Sequence, residues 1–346
     1  MVSGNGYVVG IVGATGAVGQ EFLRVLDERK FPIRELRLWA SARSEGKSIE
    51  FQGKANTVRS INQSSFDGVD FAFISASGAV SKATAPAIAE AGGLAIDDSS
   101  AFRYEDWVPL VVPEVNAEDC AWHKGIIATP NCSTTQMVLV LAALHRVNPI
   151  SRVIVDTYQS VSGWGGRAIV QLREQTAAVS RGEVAEVDPA VFAHPIAFNL
   201  IPEIDSPRED GYTKEEWKMA VETQKIMHAP NLRVSATCVR VPVYRAHSEA
   251  VHVEFERPMS PDEARAILSD TTGVEVVDDL AAHAYPTPQA AEGNDTVWVG
   301  RIRQDMSHAH GLAMWIVSDN LRKGAATNSI QIAETVVQNG WLQGIR

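Results

Sequence analysis

The feature that most constrains this chain is a glycine-rich turn between two patterned runs near its start. The apolar run YVVGIV (residues 7–12) leads into Gly13-Ala14-Thr15-Gly16-Ala17-Val18-Gly19, and then into the helix-like QEFLRVL. Strand, glycine turn and helix in that order open a parallel βαβ unit. The glycines permit a tight turn and close backbone approach, and the helix start aims N–H groups and partial positive charge at an anion such as a pyrophosphate. The rhythm continues through ELRLWA, DFAFISA, KATAPAIAEAG and LAIDDS, which predicts a parallel sheet with crossover helices, a Rossmann-like dinucleotide-binding domain.

ELRLWA ends in Ser41-Ala42-Arg43-Ser44, with Lys47 close behind, where NAD-specific folds carry an acidic residue against the ribose. Hydroxyls and a guanidinium suit a 2′-phosphate instead, so NADP is expected, although the same residues would also make a solvated basic loop.

The punctuation changes after residue 131. Strand candidates RVIVDTYQSV, LRVSATCVRVPVY and EAVHVEFE, the last alternating Val251, Val253 and Phe255 with His252, Glu254 and Glu256, suggest a half-exposed, mainly antiparallel or mixed sheet. Helices are expected at TKEEWKMAVETQKIM and PDEARAILSDT. The expected organisation is a dinucleotide-binding domain over 1–131, an α+β catalytic and dimerisation domain over 132–323, and a C-terminal helix within 324–346 returning to the first, though periodicity names no partner for it.

With 346 residues, 45% hydrophobic and 21% charged, the chain is long enough for two cores. A formal net charge of −11 argues against nucleic acid or anionic membrane partners. MVSGNG has no basic or long apolar leader, and the longest apolar run, MVLVLAAL (137–144), is far short of the roughly 20 residues of a membrane span. A cytoplasmic location is expected. The three cysteines, Cys120, Cys132 and Cys238, fit a reducing compartment. No CxxC or HExxH occurs, His308-Ala309-His310 has no neighbouring ligands, and His247-Ser248-Glu249 lacks the PCxxC of a zinc deaminase, so no metal is expected.

Pro130 imposes an extended approach to Asn131-Cys132-Ser133-Thr134, after which STTQMVLVLAALHRV reads as helix. Cys132 is thereby predicted at a helix start, where the dipole favours a thiolate. An isolated cysteine is more often a small buried hydrophobe, and Cys120 and Cys238 keep that reading. Beside a dinucleotide site, however, a thiol that adds to an aldehyde gives a thiohemiacetal able to release hydride.

The motifs GATGAVG, SARSEGK, AFR with PLVVPEVN, PNCSTTQ, QSVSG, CVRVP, RAHSEAV and SDNLRKGAA, in order from Gly13 to Ala326, resemble aspartate-semialdehyde dehydrogenases. The resemblance implies Cys132 as nucleophile, His247 as acid/base and Gln159 as a residue orienting the reacting groups. It further implies Arg240 for the substrate α-carboxylate, Glu222 for its amino group, and Arg103, Asn131 and Lys225 for the phosphate. Cofactor contacts would include Ser77, Gly163 and Asn320 beside the glycine loop and the 41–44 turn. It also implies a homodimer or homotetramer. Taken alone, Arg240 is a strand arginine of the usual surface kind, Glu222 and Lys225 are a solvated i,i+3 pair, and Arg103 is a loop salt bridge. His247 is one of nine histidines.

The implied activity is NADPH-dependent reduction of L-aspartyl 4-phosphate. Rival readings are another acyl-phosphate reductase, such as N-acetyl-glutamyl-phosphate reductase or glyceraldehyde-3-phosphate dehydrogenase, a non-catalytic NADP-binding homologue, and a Cys/His hydrolase. The last leaves the glycine loop unexplained.

Overall fold

The computed structural model describes residues 6–61 and 66–342, so the extreme N-terminus and the end of the 324–346 segment lie outside the described residues. Its strands are β1 (Tyr7–Val12), β2 (Ile33–Ala40), β3 (Ser48–Phe51), β4 (Lys54–Ser60), β5 (Phe71–Ile74), β6 (Leu94–Asp97), β7 (Ile126–Ala128), β8 (Ile150–Gln159), β9 (Arg233–Arg240), β10 (His247–Phe255), β11 (Val274–Val276), β12 (Val297–Gln304) and β13 (Gly311–Ser318). The helices are α1 (Ala17–Glu28), α2 (Gly78–Glu90), α3 (Pro113–Asn116), α4 (Cys132–Val147), α5 (Gly166–Ser180), α6 (Lys214–Ile226), α7 (Pro261–Ser269), α8 (Pro288–Ala291) and α9 (Thr327–Asn339). The chain divides into two compact units, Met1–Asn131 with Ala325–Arg346, and Cys132–Gly324.

The first unit is built on a seven-stranded sheet of order β3-β4-β2-β1-β5-β6-β7. All its pairings are parallel except the β3/β4 hairpin. Its strands β1, β5, β6 and β7 are short, mainly apolar runs buried on both faces, as a sheet covered by helices requires. α1 lays Phe22, Leu23, Val25 and Leu26 onto this core, with the Phe22 and Phe73 rings stacked at 5.1 Å. α9 packs Ile330, Ala333 and Val336 into the same core and is tied down by an Arg29–Glu334 ion pair at 2.5 Å and by Asn328 Nδ2 donating to the Val111 carbonyl at 2.9 Å.

Strand order reverses at β1, flanked by β2 and β5, and ligands of such sheets bind beyond the strand C-termini at that point. Gly13 turns the chain there with φ +92°, and a Cβ on it would lie 2.0 Å from the Ser75 carbonyl oxygen. Only glycine combines a left-handed backbone with that approach. Gly13→Ala is therefore expected to cost on the order of 3 kcal/mol, lowering the melting temperature of this unit by roughly 6–12 °C. Differential scanning calorimetry would check this; an unchanged melt would show that the loop relaxes freely.

The second unit holds a six-stranded mixed sheet of order β11-β12-β13-β10-β8-β9. β10 is antiparallel to both neighbours, whereas β8/β9 and β11/β12 run parallel. One face is covered by α4, α6 and α7. Alternate residues Val251, Val253 and Phe255 of β10 meet Val153 and Val155 of β8, Met314 and Ile316 of β13, and Met137, Val140 and Leu141 of α4 in one core. α4 is buried on every side from Ser133 to Leu144, which explains why MVLVLAAL carries no polar face. The core face of the sheet turns polar at one end, where Thr157, Gln159, Cys238, Arg240, His247 and Glu249 continue the inward alternation.

Candidate active site

In the first unit the glycine loop is shaped by backbone contacts: the N–H groups of Gly13 and Ala14 donate to the Trp39 carbonyl at 2.8 and 3.1 Å, and that of Gly16 to the Gly13 carbonyl at 2.9 Å. α1 begins after Gly16 with no side-chain cap and no acidic residue in its first turn, which includes Ala17 and Val18. The helix start is thus left electropositive, and a dinucleotide pyrophosphate fits it. Thr15 Oγ1 lies 3.3 Å from Ser44 Oγ, bringing the 41–44 turn against the loop, with Ser41 and Arg43 exposed beside it. Ser77 caps α2 by accepting from the Val80 N–H at 3.4 Å, directly after β5.

Arg103 is not the exposed salt bridge its loop position suggests. It is 5% exposed and donates from Nη2 to the Asp98 carbonyl at 2.8 Å. The Asp98 carboxyl accepts from Thr129 at 2.9 Å, and loss of hydration raises it to about 7 against the pull of Arg103. Asn131, buried, ends this unit.

In the second unit Cys132 is the first residue of α4 and half-exposed, whereas Cys120 and Cys238 are buried. Burial pushes the Cys120 thiol up to about 12 and Cys238 well above its ordinary value, so neither is a nucleophile near neutrality. Gly324, in a π-helical turn over Arg322–Ala326, packs on Cys132: a Cβ there would lie 2.9 Å from Cys132 Cβ.

Arg240 ends β9 beside Gln159 of β8, 3% exposed, with Nη1 donating to the Ser160 carbonyl at 2.7 Å. Loss of hydration lowers its pKa, opposed by the charges of Glu215 and Cys132. A cavity of about 130 Å³ lies against it, lined also by Trp164, Phe192, Ile201 and Asp205. A larger groove, about 860 Å³, runs along α5 and contains none of the residues singled out from the sequence.

His247 opens β10, fully buried. Its Nδ1 accepts from the Ser160 N–H at 3.0 Å, so the neutral ring carries its proton on Nε2. Nε2 has no protein partner. A Cβ on Gly163 would lie 3.1 Å from that nitrogen and 3.0 Å from Arg240 Nη1, so glycine here keeps space open between the two. Loss of hydration first, and the Arg240 charge second, lower His247 to about 3. Asn320 Oδ1 accepts from Ser160 Oγ at 3.2 Å, Ser162 Oγ at 3.0 Å and the Ala246 N–H at 3.0 Å, bracing the residues that hold the imidazole. The structure thus brings Gly163 and Asn320 to the histidine.

Glu222 and Lys225 are not the solvated residues that the helix pattern alone suggests: Glu222 is fully buried and Lys225 half-buried. The reason is a mixed inward face, on which Glu215, Glu216, Lys218 and Glu222 are buried alongside Met219 and Ile226. Among the described residues no group of three or more His, Cys, Asp or Glu is placed to hold a metal ion, and no helix is long and apolar enough to cross a membrane.

Two family models match the chain, a semialdehyde dehydrogenase NAD-binding domain over residues 8–123 and a semialdehyde dehydrogenase dimerisation domain over 141–323. The aspartate-semialdehyde dehydrogenase of Aquifex aeolicus (strain VF5) is 54% identical over 97% of this chain and 99% of its own length. The chain belongs to the aspartate-semialdehyde dehydrogenase family. Its Legionella pneumophila member is 51% identical over 94% of both chains. The crystal structure of aspartate semialdehyde dehydrogenase II from Vibrio cholerae, complexed with ASA, superposes with a TM-score of 0.93 at 47% identity, covering 96% of this chain and 99% of that one. The Candida albicans aspartate semialdehyde dehydrogenase with NADP gives 0.74 at 25%, covering 97% and 99%. As a member of the aspartate-semialdehyde dehydrogenase family the chain is an oxidoreductase with a nicotinamide-dinucleotide-binding domain.

Sequence reasoning did not single out Glu215, Lys218, Ser160 or Gly324, which the structure links directly or in series to Gln159, His247 and Cys132. Glu215 and Lys218 look like ordinary surface charges on a helix. Only the inward direction of α6 gives them away.

Proposed function

We propose that this chain catalyses the reversible NADPH-dependent reduction of L-aspartyl 4-phosphate to L-aspartate 4-semialdehyde and phosphate through a Cys132 thioester. The observation that carries the residue roles is the half-exposed thiol at the start of α4, with Arg240 in electrostatic reach, while both other thiols are buried.

In the reductive direction the Cys132 thiolate attacks the acyl carbon. The tetrahedral adduct expels phosphate toward Arg103, Asn131 and Lys225 and leaves the thioester. Bound NADPH supplies the hydride for the second half-reaction; Gly13–Val18, Ser41, Arg43, Ser44 and Ser77 would hold it, with Gly163 and Asn320 as contacts in the catalytic unit. The resulting oxyanion collapses to the aldehyde and returns the electron pair to sulfur. His247, presenting Nε2, serves the proton traffic and donates to the charged oxygen, helped by the α4 N–H groups. Arg240 grips the α-carboxylate, Glu222 the ammonium, and Gln159 orients the reacting groups.

The second unit matches a dimerisation domain, which supports an oligomer. A homodimer or homotetramer acting in the cytoplasm on this small-molecule substrate is the finer reading.

Aspartate semialdehyde, NADP and inorganic phosphate should give NADPH at a rate that falls at least about 100-fold when phosphate is omitted, because the thioester then has only water as acceptor. Equal rates with and without phosphate would overturn the acyl-transfer step. Activity confined to an N-acetylated γ-acyl phosphate would favour the neighbouring reductase.

A further inference from the structure

Gln159 sits at the C-terminal end of β8, 1% exposed, and both ends of its carboxamide are held. Its Oε1 accepts from Thr157 Oγ1 at 3.1 Å, and its Nε2 donates to Glu215 Oε1 at 3.0 Å. The second Glu215 oxygen accepts from Lys218 Nζ at 3.0 Å, and Lys218 in turn donates to Asp205 at 2.6 Å. Glu215 and Lys218 are 5% and 8% exposed. Two anions and one cation thus form a chain from a half-buried aspartate ahead of α6 to the Gln159 amide.

We propose that Glu215 is the positioning residue for Gln159, and that Lys218, anchored by Asp205, holds the Glu215 carboxylate aimed at it. The inference rests on the role proposed for Gln159 in orienting the reacting groups. A glutamine amide alone interchanges O and N by rotation about its last bond. A carboxylate removes that freedom because it only accepts, so Nε2 is locked toward Glu215. The second Nε2 hydrogen is then directed by the protein's own charge pattern. Buried charge-assisted bonds suit such aiming because they are short and directional, and each member of this chain has an opposite partner, so none is left as an uncompensated buried charge. Glu215 also faces Arg240, whose cationic form it favours, and it acts in the same sense on His247. Arg240 and Lys218 are thereby balanced by Glu215 and Asp205 within one layer.

A double-mutant cycle in the intact protein, following phosphate-dependent NADP reduction with aspartate semialdehyde, tests this. Gln159→Ala should lower kcat about 100-fold, and Glu215→Gln, which keeps size but presents an amide donor to Lys218, about 10- to 30-fold with KM changed less than about 3-fold. In the Gln159→Ala background Glu215→Gln should cost less than about 2-fold, because the group it aims is gone. Asp205→Asn, half-buried at the far end of the chain of bonds from Gln159, is the second variant, with a loss of about 3-fold that also vanishes without Gln159. Full turnover in Glu215→Gln, equal losses in both backgrounds, or a loss wholly in KM would overturn the proposal. Full turnover in Gln159→Ala would instead remove the reading of Gln159 on which it rests.

Discussion

Cys132→Ala is expected to lower phosphate-dependent turnover by at least about 10⁴-fold while leaving NADP binding within about 2-fold of the parent protein, since covalent catalysis supplies the chemistry and the glycine loop lies in the other unit. The size of the effect follows from the lack of a substitute. Burial raises the thiol pKa of both Cys120 and Cys238, and neither opens a helix. Cys132→Ser should recover little, because a hydroxyl at the same helix start stays protonated where a thiol ionises. Steady-state kinetics on the variants, with cofactor binding by fluorescence titration, checks both halves. Mixing aspartyl phosphate with the parent protein in the absence of cofactor should load one acyl group, detectable by intact mass, and Cys132→Ala should load none. More than about one hundredth of parental turnover in Cys132→Ala would move the nucleophile elsewhere.

The parallel sheet and the placement of Cys132 at a helix start were legible because each rests on local grammar. YVVGIV followed by GATGAVG admits few conformations, and Pro130 with Asn131 sets the start of α4 within a residue. The mixed second sheet was readable only in part. EAVHVEFE alternates clearly, whereas GLAMWIVS, which forms β13, is a nearly continuous apolar run with no period to separate strand from buried helix, and VWVGRIRQ, which forms β12, loses its alternation near Gly300, where the register shifts. α5, over Gly166–Ser180, was missed because GRAIVQLREQTAAVS covers only a small satellite core. The β3/β4 hairpin escaped because SIEFQGKANTV is short and polar.

The site is a different matter. Glu222 and Lys225 taken alone read as a solvated i,i+3 pair, since charge pattern says which residues share a face and not which way that face points. Arg240 and His247 carry no local signal at all. Their importance comes from adjacent strand ends, a long-range pairing that spacing does not encode. Gly163 and Gly324 look like loop glycines until a Cβ is imagined on each, whereupon one crowds His247 and Arg240 and the other Cys132. Resemblance supplied these names, and physics supplies the reasons only after the strands are paired.

The second large effect expected is at His247. His247→Asn removes the Nε2 group that faces Gly163 and Arg240, and kcat should fall about 10²- to 10⁴-fold, the usual range for loss of a positioned acid or base. The pH behaviour separates this group from an exposed histidine. Burial and Arg240 depress its folded pKa to about 3, below the unfolded value of about 6.5. For a base held neutral by folding, the unfolded chain binds the extra proton. Stability is therefore full above about pH 6.5 and lost as pH falls from there toward 3, at up to about 1.4 kcal/mol per pH unit. His247→Asn lacks that titration, so the stability difference between parent and variant should shrink or reverse between pH 7 and 4, measured by urea unfolding at each pH. The same depression keeps the free enzyme's imidazole neutral across the working range, so an acid limb in kcat/KM with a midpoint near 6.5 that disappears in His247→Asn would contradict the burial argument. An acid limb shared by both proteins would assign that titration to another group and leave His247 as a neutral donor whose tautomer is set by the Ser160 N–H.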